Sequence, residues 1–138
     1  MLKSNRKIKV YTTGYTGKDV SDLKPLLAAL DAVLFDVRYS PDSRVLKWTR
    51  AYLQVLLREK YHHLLPFGNR TFRENKITIQ NLDLGIKILE SQKSNVVLMC
   101  GCAELSTCHR LVLAHELRRR DYEVEELEVW KVAAPTLF

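Results

Sequence analysis

The sequence predicts a three-layer α/β/α fold, in which a mainly parallel sheet of about five strands lies between two layers of helices. Five short apolar or alternating runs, typical of strands, are separated by longer stretches with apolar side chains at helical spacing. Two runs, residues 32–37 and 96–99, are almost wholly apolar, which is typical of strands buried on both faces of a parallel sheet. The 138 residues are predicted to form a single domain, with residues 131–138 as a tail.

The first strand is predicted at residues 7–12, where apolar and polar side chains alternate, and a turn follows at residues 13–18. A helix over residues 20–30 carries an apolar stripe of leucines. Because a strand–turn–helix unit points backbone N–H groups at an anion, Gly14 and Tyr15 are predicted to contact one. The turn lacks the full spacing of a phosphate-binding loop, so nucleoside triphosphates are not favoured.

The middle of the chain is predicted to contain a helix at residues 48–60, a short strand at residues 61–65 and a helix at residues 78–92. In the helix at residues 48–60, the side chains predicted to face the core are Tyr52, Val55 and Leu56. A further helix begins near residue 108, and residues 121–130 form a final strand whose acidic side chains point outward.

The carboxyl ends of parallel strands meet at one edge of the sheet, where open α/β sheets bind their ligands. Thr13, Arg38, His63 and Cys100 stand at or just after the ends of the first four predicted strands. The sequence therefore predicts that they surround one pocket.

The chain carries 22 Lys and Arg against 16 Asp and Glu, a net charge of +6 that favours anionic small molecules or nucleic acid as partners. Arg38, Ser40 and Arg44 follow the second strand and are predicted to bind the anion, because a guanidinium grips carboxylate or phosphate with two parallel hydrogen bonds. Local salt bridges of Arg38 with Asp36, or of Arg44 with Asp42, are the alternative.

All three cysteines lie close together, and Cys108 begins a predicted helix. The helix dipole and free N–H groups favour a thiolate there, and His109 and Arg110 add positive charge that can also hold an anion. Cys108 is therefore the favoured nucleophile, with Cys102 and Cys100 as the alternatives.

Two further residues are acid/base candidates. Glu104 lies in the cysteine loop, where it can also orient a neighbouring His or Arg, and His63 lies at the end of the third strand.

Three other roles for the cysteines stay open. Cys100, Cys102, Cys108 and His109 are the ligand types of zinc, but Cys-x-Cys is tighter than usual zinc spacing, so no metal is favoured and the cofactor is unknown. The second role is redox sensing, in which oxidation joins Cys100 to Cys102 or Cys108 in a disulfide. Simple packing of small apolar side chains is the third alternative.

The odd number and close spacing of the cysteines do not fit a disulfide framework. No secretory signal is recognisable, and no apolar run approaches the roughly 20 residues of a membrane helix. We therefore expect a cytoplasmic protein with reduced thiols and no membrane partner.

The cysteine loop, CGCAELSTCHR, resembles the signature of the DUF488 family, small proteins without an assigned reaction, which carry a Cys-containing strand end and then Cys-His-Arg. Residues 11–17, 35–44 and 61–70 resemble its Gly turn, its Asp-Val-Arg segment and its Tyr-x-His segment. The Gly turn departs from the usual His-Ser ending. The resemblance implies a similar fold and pocket location, and it selects His63 rather than His62 for the pocket.

Three functions are consistent with these residues. The first is a cysteine-dependent enzyme acting on an anionic, nucleotide-like or nucleic-acid-like substrate. The second is a non-catalytic module that binds nucleotide or nucleic acid through the same basic pocket. The third is a zinc-binding or redox-sensing protein.

Overall fold

The computed structural model describes residues 7–101 and 108–131. The strands in this part of the chain are β1 (Val10–Gly14), β2 (Ala32–Asp36), β3 (Tyr61–His63), β4 (Asn95–Cys100) and β5 (Val124–Glu126). The α-helices are α1 (Leu23–Leu30), α2 (Arg50–Leu57), α3 (Leu82–Glu90) and α4 (His109–Arg119). Short 3₁₀ turns lie at Val20–Asp22, Leu46–Trp48, Arg58–Lys60, Leu65–Phe67 and Phe72–Glu74.

All five strands form one sheet in the order β3-β2-β4-β1-β5, and every neighbouring pair is parallel. The predicted α/β architecture is therefore confirmed, with a sheet that is wholly rather than mainly parallel. Each pair of consecutive strands is joined by one helix, as parallel pairing requires, because a short hairpin cannot join parallel strands.

A separate apolar core lies on each face of the sheet. Helices α1 and α2 pack on one face, and their leucines surround Leu34, Val97 and Met99. Helices α3 and α4 pack on the other face against Val96 and Leu98. Successive residues of β4 thus point to opposite cores, as the two-residue repeat of a strand requires. This explains why the β4 sequence is apolar throughout.

The helices leave two adjacent central strands in opposite directions. After β2, helix α2 runs outward to β3, whereas after β4, helix α4 runs the other way, past β1 to β5. In open α/β sheets, this divergence opens a crevice between the carboxyl ends of the two strands. Arg38 follows β2, and Cys100 is the last residue of β4, so the fold places both at the crevice.

The helix predictions differ from the structure in detail. The prediction that Val55 faces the core is wrong, because its side chain is 76% exposed while Leu53 and Leu57 are buried. Leu53 and Leu57 are one turn apart and define the inward side of α2, which Val55 does not share. Helix α3 begins at Leu82, later than predicted, because the Asn81 side chain accepts a hydrogen bond from the Leu84 N–H and caps the helix there.

The final strand is shorter than predicted, and its acidic side chains do not all point outward. β5 spans Val124–Glu126, and Glu126 is half-buried, with its carboxylate held by Arg110 and Thr12. Glu126 has the same parity along the strand as Tyr122 and Val124, which pack against the core. Its inward position therefore follows from the strand repeat.

Gly85 allows α3 to approach the Leu65–Phe67 turn closely. A Cβ atom at Gly85 would overlap the ring of the fully buried Phe67. We expect Gly85→Ala to lower the free energy of unfolding by about 1–3 kcal/mol through overpacking, although alanine is the better helix former. Urea denaturation tests this, with Lys87→Ala on the exposed side of α3 as the control. A stabilised Gly85→Ala variant would contradict the predicted overlap.

No helix within residues 7–101 and 108–131 combines the length and the apolar character needed to cross a membrane.

Candidate functional site

Two cysteines meet at the carboxyl edge of the sheet. Cys100 is the last residue of β4, and Cys108 directly precedes α4 with an extended backbone. Their Sγ atoms are 2.8 Å apart, and each residue is only 1% exposed. The first N–H groups of α4 carry the positive end of the helix dipole, which stabilises a thiolate beside them. The site therefore holds two sulfur atoms in direct contact beside a helix N-terminus.

Arg110 places a positive charge on this sulfur pair. Its Nη1 donates to Cys100 Sγ at 3.1 Å, while its Nε and Nη2 donate to the Glu126 carboxylate at 3.0–3.2 Å. Burial by itself would lower the pKa of Arg110, but the bonds to Glu126 and the charge of the cysteine sulfurs raise it above its ordinary value overall. The guanidinium consequently stays charged at every physiological pH.

The last strand fixes the orientation of Arg110. β5 pairs with β1 so that Thr12 lies beside Glu126, and the Thr12 hydroxyl donates to the Glu126 carboxylate at 2.6 Å. The carboxylate is thus held from one side by a buried threonine and grips the guanidinium from the other. A carboxylate held in this way restricts the rotamers of a long side chain such as Arg110.

His109 connects Cys108 to the segment that follows β2. Its Nε2 is 2.9 Å from the Val37 carbonyl oxygen, and its Nδ1 is 3.8 Å from Cys108 Sγ. A carbonyl only accepts hydrogen bonds, so Nε2 must carry the hydrogen. In the neutral imidazole, Nδ1 is then an acceptor directed at the Cys108 thiol. This geometry suits His109 to receive a proton from Cys108.

A buried ion pair lies at the end of β2. The fully buried Asp36 accepts two hydrogen bonds from Arg38, at 2.9 Å from Nε and 2.6 Å from Nη2. Arg38 Nη1 donates to the Trp48 carbonyl at 2.6 Å. Burial by itself would lower the pKa of Arg38, but Asp36 raises it above its ordinary value overall. The local salt bridge that the sequence offered as the alternative is therefore present.

Tyr61 completes this ion pair from β3. Its hydroxyl donates to the second oxygen of Asp36 at 2.5 Å, and the residue is 5% exposed. Burial raises the pKa of Tyr61, and the negative charge of Asp36 and the hydrogen bond to it raise the pKa further. The phenol consequently stays protonated and keeps donating to Asp36 at pH values where an exposed tyrosine ionises.

The raised pKa of Tyr61 predicts a specific loss of stability in alkali. We expect Tyr61→Phe to lower the free energy of unfolding at pH 7 by about 1.5–3 kcal/mol, because a hydrogen bond to a charged group is lost. The unfolded tyrosine ionises near pH 10, whereas the folded one does not, so this stabilisation is present below about pH 10 and is lost as pH rises above it.

Denaturation curves of the wild type and Tyr61→Phe at pH 7 and at about pH 11 test this prediction, and the difference between the two proteins should shrink at the higher pH. Tyr39→Phe removes the hydroxyl of a half-exposed tyrosine and is the control at pH 7. A difference that is constant with pH would contradict the raised pKa.

An open cleft of about 690 Å³ lies beside the sulfur pair. Gly101 and His109 line the end nearest the cysteines, and the rings of Tyr39 and Phe72 line another part, with their centroids 6.3 Å apart. Lys76 lines it as well. The cleft therefore combines an aromatic wall with charged groups of both signs, since Asp42 lines it too.

The structure brings four of the predicted site residues into one cluster: Cys100, Cys108, His109 and Arg110. Arg38 lines the same cleft as His109, and its Nη1 is 3.5 Å from the hydroxyl of Tyr15, whose ring stacks on Trp48. Gly14, at the end of β1, pairs in register with Cys100. The first and fourth strands thus end side by side.

The other predicted site residues lie further from the cysteine cluster or outside the described residues. His63 is two strands from Cys100 in the sheet, and its Nε2 is 2.7 Å from the Arg38 carbonyl. Ser40 lines the cleft but donates to Asp42 at 3.0 Å. Arg44 is exposed, and the described residues that line the cleft do not include it. The candidates Cys102 and Glu104 lie outside the described residues.

The predicted anion contact at the Gly14 turn has less support in the structure. The Asp19 carboxylate accepts hydrogen bonds from the Ser21 N–H and hydroxyl at 2.9 and 2.8 Å. A side chain of the protein thereby occupies the position that a bound anion would take. These bonds lower the pKa of Asp19, chiefly through the backbone N–H of Ser21, so the capping carboxylate stays ionised.

Glu126 and Tyr61 are the site residues that the sequence did not predict. Strand parity was the available signal for Glu126, since it shares a face with the buried Tyr122. For Tyr61 no local signal exists, because its partner Asp36 is brought to it by the pairing of β2 with β3.

Among residues 7–101 and 108–131, no group of three or more His, Cys, Asp or Glu side chains is placed to hold a metal ion. Cys102, one of the four zinc ligands considered from the sequence, is not among these residues.

Comparisons of the chain with protein-family models, curated proteins and solved structures found no significant match.

Proposed function

We propose that the chain is a cysteine-dependent redox protein whose reactive unit is the pair formed by Cys100 and Cys108. The observation that carries this proposal is the 2.8 Å distance between the two Sγ atoms. A disulfide bond is about 2.05 Å long, so the sulfurs need to approach each other by less than about 1 Å. Oxidation releases two electrons and two protons and joins the sulfurs, and a dithiol reductant reverses the reaction.

The surroundings of the pair support a reversible reaction. Arg110 and the start of α4 both favour a thiolate, which is the reactive form in thiol–disulfide chemistry. His109 Nδ1 faces Cys108 and is suited to receive the thiol proton. Because a reversible dithiol functions in a reducing compartment, we also propose a cytoplasmic location.

Redox titration tests the proposal. The protein is equilibrated in mixtures of reduced and oxidised dithiothreitol, quenched in acid and alkylated, and its thiols are counted by mass spectrometry. We expect the wild type to lose two alkylatable thiols with a single midpoint. Cys100→Ser and Cys108→Ser should both abolish this transition, whereas Cys102→Ser should retain it.

Two outcomes would refute the assignment. Retention of both alkylatable thiols in fully oxidising buffer would exclude a reactive pair. Loss of the transition in Cys102→Ser would move the disulfide to Cys102. The variant Arg119→Met, on the exposed side of α4, is a control for general damage to the helix.

The cleft favours a second candidate function, the binding of an anionic aromatic ligand such as a nucleotide. Its aromatic wall of Tyr39 and Phe72 offers stacking, and Lys76 offers a charge for a phosphate. The support is weaker, because Arg38 and Arg110 are both already paired with carboxylates. Nucleotide binding that weakens with salt and with Phe72→Ala, but persists in Cys108→Ser, would favour this function.

Membership of the DUF488 family is likewise a proposal. The resemblance is carried by four segments of the chain, and each has residues at the carboxyl edge of the sheet, which supports the proposal. These residues are Gly14, Arg38, His63 and the Cys108–His109–Arg110 run.

A further inference from the structure

We propose that a small hydroperoxide oxidises this pair, with Cys100 as the sulfur that attacks the peroxide and Cys108 as the sulfur that resolves the product. The inference rests on the proposed redox function, and it names both the oxidant and the order of the two cysteines. Three observations carry it: the contact of Arg110 with Cys100, the burial of both sulfurs, and a small polar cavity that reaches Arg110.

Arg110 distinguishes the two cysteines. Its Nη1 lies 3.1 Å from Cys100 Sγ, and the bonds to Glu126 hold the guanidinium in that place. A thiolate on Cys100 is therefore stabilised by the charge of the guanidinium, which Glu126 cancels only in part. When this thiolate attacks a peroxide, negative charge develops on the departing oxygen beside the same guanidinium, which stabilises the transition state.

The burial of the sulfurs selects a small oxidant. Both cysteines are 1% exposed, so a larger reagent should reach either sulfur atom more slowly than hydrogen peroxide does. A second cavity of about 300 Å³ is lined by the donors Thr16, Lys18 and Arg110 and by two carboxylates, Glu126 and Glu128. Gly14 also lines it and pairs in register with Cys100. Hydroxyl, ammonium and guanidinium groups in this cavity can donate hydrogen bonds to the two oxygens of hydrogen peroxide. The cavity thus reaches Arg110, whose guanidinium contacts Cys100 Sγ.

The reaction balances in two steps. The Cys100 thiolate attacks one peroxide oxygen, an S–O bond forms as the O–O bond breaks, and hydroxide leaves and takes up a proton as water. The Cys108 sulfur then attacks Cys100 Sγ, the S–O bond breaks, and a second hydroxide leaves as water once protonated. His109 Nδ1 receives the Cys108 proton. Hydrogen peroxide is reduced to two waters, and the two thiols are oxidised to one disulfide.

The order of the cysteines is tested by trapping the intermediate. Reduced protein that carries both Cys102→Ser and Cys108→Ser is treated with hydrogen peroxide and then unfolded in urea that contains dimedone, which gives the reagent access to the sulfur. We expect a dimedone adduct on Cys100, because no other thiol remains to resolve the product. Reduced Cys100→Ser should give no comparable adduct on Cys108. Adducts on Cys108 alone would overturn the assignment of roles.

The rate is measured on the wild type, which avoids any folding defect of the variants. Formation of the Cys100–Cys108 disulfide, mapped by mass spectrometry of peptides, should consume one peroxide per disulfide. It should be at least about tenfold faster than oxidation of free cysteine at pH 7, since a stabilised thiolate is the reactive species. Hydrogen peroxide should also react faster than tert-butyl hydroperoxide, which is larger.

The outcomes separate this inference from the function on which it rests. A disulfide that forms in dithiothreitol buffers but reacts with peroxide no faster than free cysteine would refute the peroxide inference alone. No disulfide in either experiment would refute both. Faster reaction with tert-butyl hydroperoxide than with hydrogen peroxide would also overturn the small-oxidant assignment.

Discussion

Asp36→Asn is expected to lower the free energy of unfolding by about 3–5 kcal/mol, because it leaves the buried charge of Arg38 without its counter-ion. Asp36 is fully buried, and its two oxygens accept hydrogen bonds from both Arg38 and Tyr61. Asparagine keeps the size of the side chain but loses the charge. Its amide nitrogen would also face a donor, so at least one buried N–H or O–H group loses its acceptor.

Urea denaturation at pH 7 measures this effect, with Asp42→Asn as the matched control. Asp42 is exposed and accepts a hydrogen bond from Ser40, so its substitution should change the free energy of unfolding by no more than about 0.5 kcal/mol. The double variant Asp36→Leu with Arg38→Leu should be less destabilised than Asp36→Asn, because it removes both charges. Equal stability of Asp36→Asn and Asp42→Asn would contradict the central role of the ion pair.

Arg110→Met is expected to produce the largest change in the chemistry of the site. The guanidinium is 3.1 Å from Cys100 Sγ, and an opposite charge at such a distance typically lowers the pKa of an acid by about 1–3 units. Its loss should therefore raise the pKa of the thiol pair by a similar amount. At a fixed pH below that pKa, the thiolate fraction falls by about 10-fold or more. Ultraviolet absorbance of the thiolate during a pH titration measures the shift.

Substitution of Glu126 is a control for Arg110→Met, because it should shift the pKa of the thiol pair in the opposite direction. Glu126 partly cancels the charge of Arg110, so Glu126→Gln, which retains an oxygen that accepts from the guanidinium, should lower the pKa of the thiol pair. Arg110→Lys should lie between the wild type and Arg110→Met, because lysine keeps the charge but not the bidentate grip on Glu126. A pKa that does not differ between the wild type and Arg110→Met would refute the electrostatic role of Arg110.

The fold followed from the sequence because its main determinants are local. The apolar strand at residues 32–37 and the one at residues 96–99 could only be buried on both faces, and intervening helices then require parallel pairing. Whether a single side chain points to the core or to solvent was less predictable. Val55 fits an apolar stripe as well as its neighbours do, and only the packing of Leu53 and Leu57 decides which side of α2 is inward.

The site was predictable only in part, because charge pairing depends on contacts between distant strands. The convergence of Arg38 and the Cys108–His109–Arg110 run follows from parallel strands ending at one edge. The pairing of Arg110 with a carboxylate could not be deduced from the sequence, since Glu126 is brought to it by the pairing of β5 with β1. The sequence thus indicated which cations lie near the thiols, but it overestimated the positive charge that remains for a substrate.

The position of Glu126 in the outermost strand makes the orientation of Arg110 depend on the pairing of that strand. Arg110 and Glu126 are 16 residues apart in the chain, and β5 must pair with β1 before Glu126 can hold the guanidinium. A local opening of β5 therefore releases the side chain whose Nη1 contacts Cys100 Sγ. The electrostatics of the sulfur pair are thereby coupled to the local stability of a strand that contains neither cysteine.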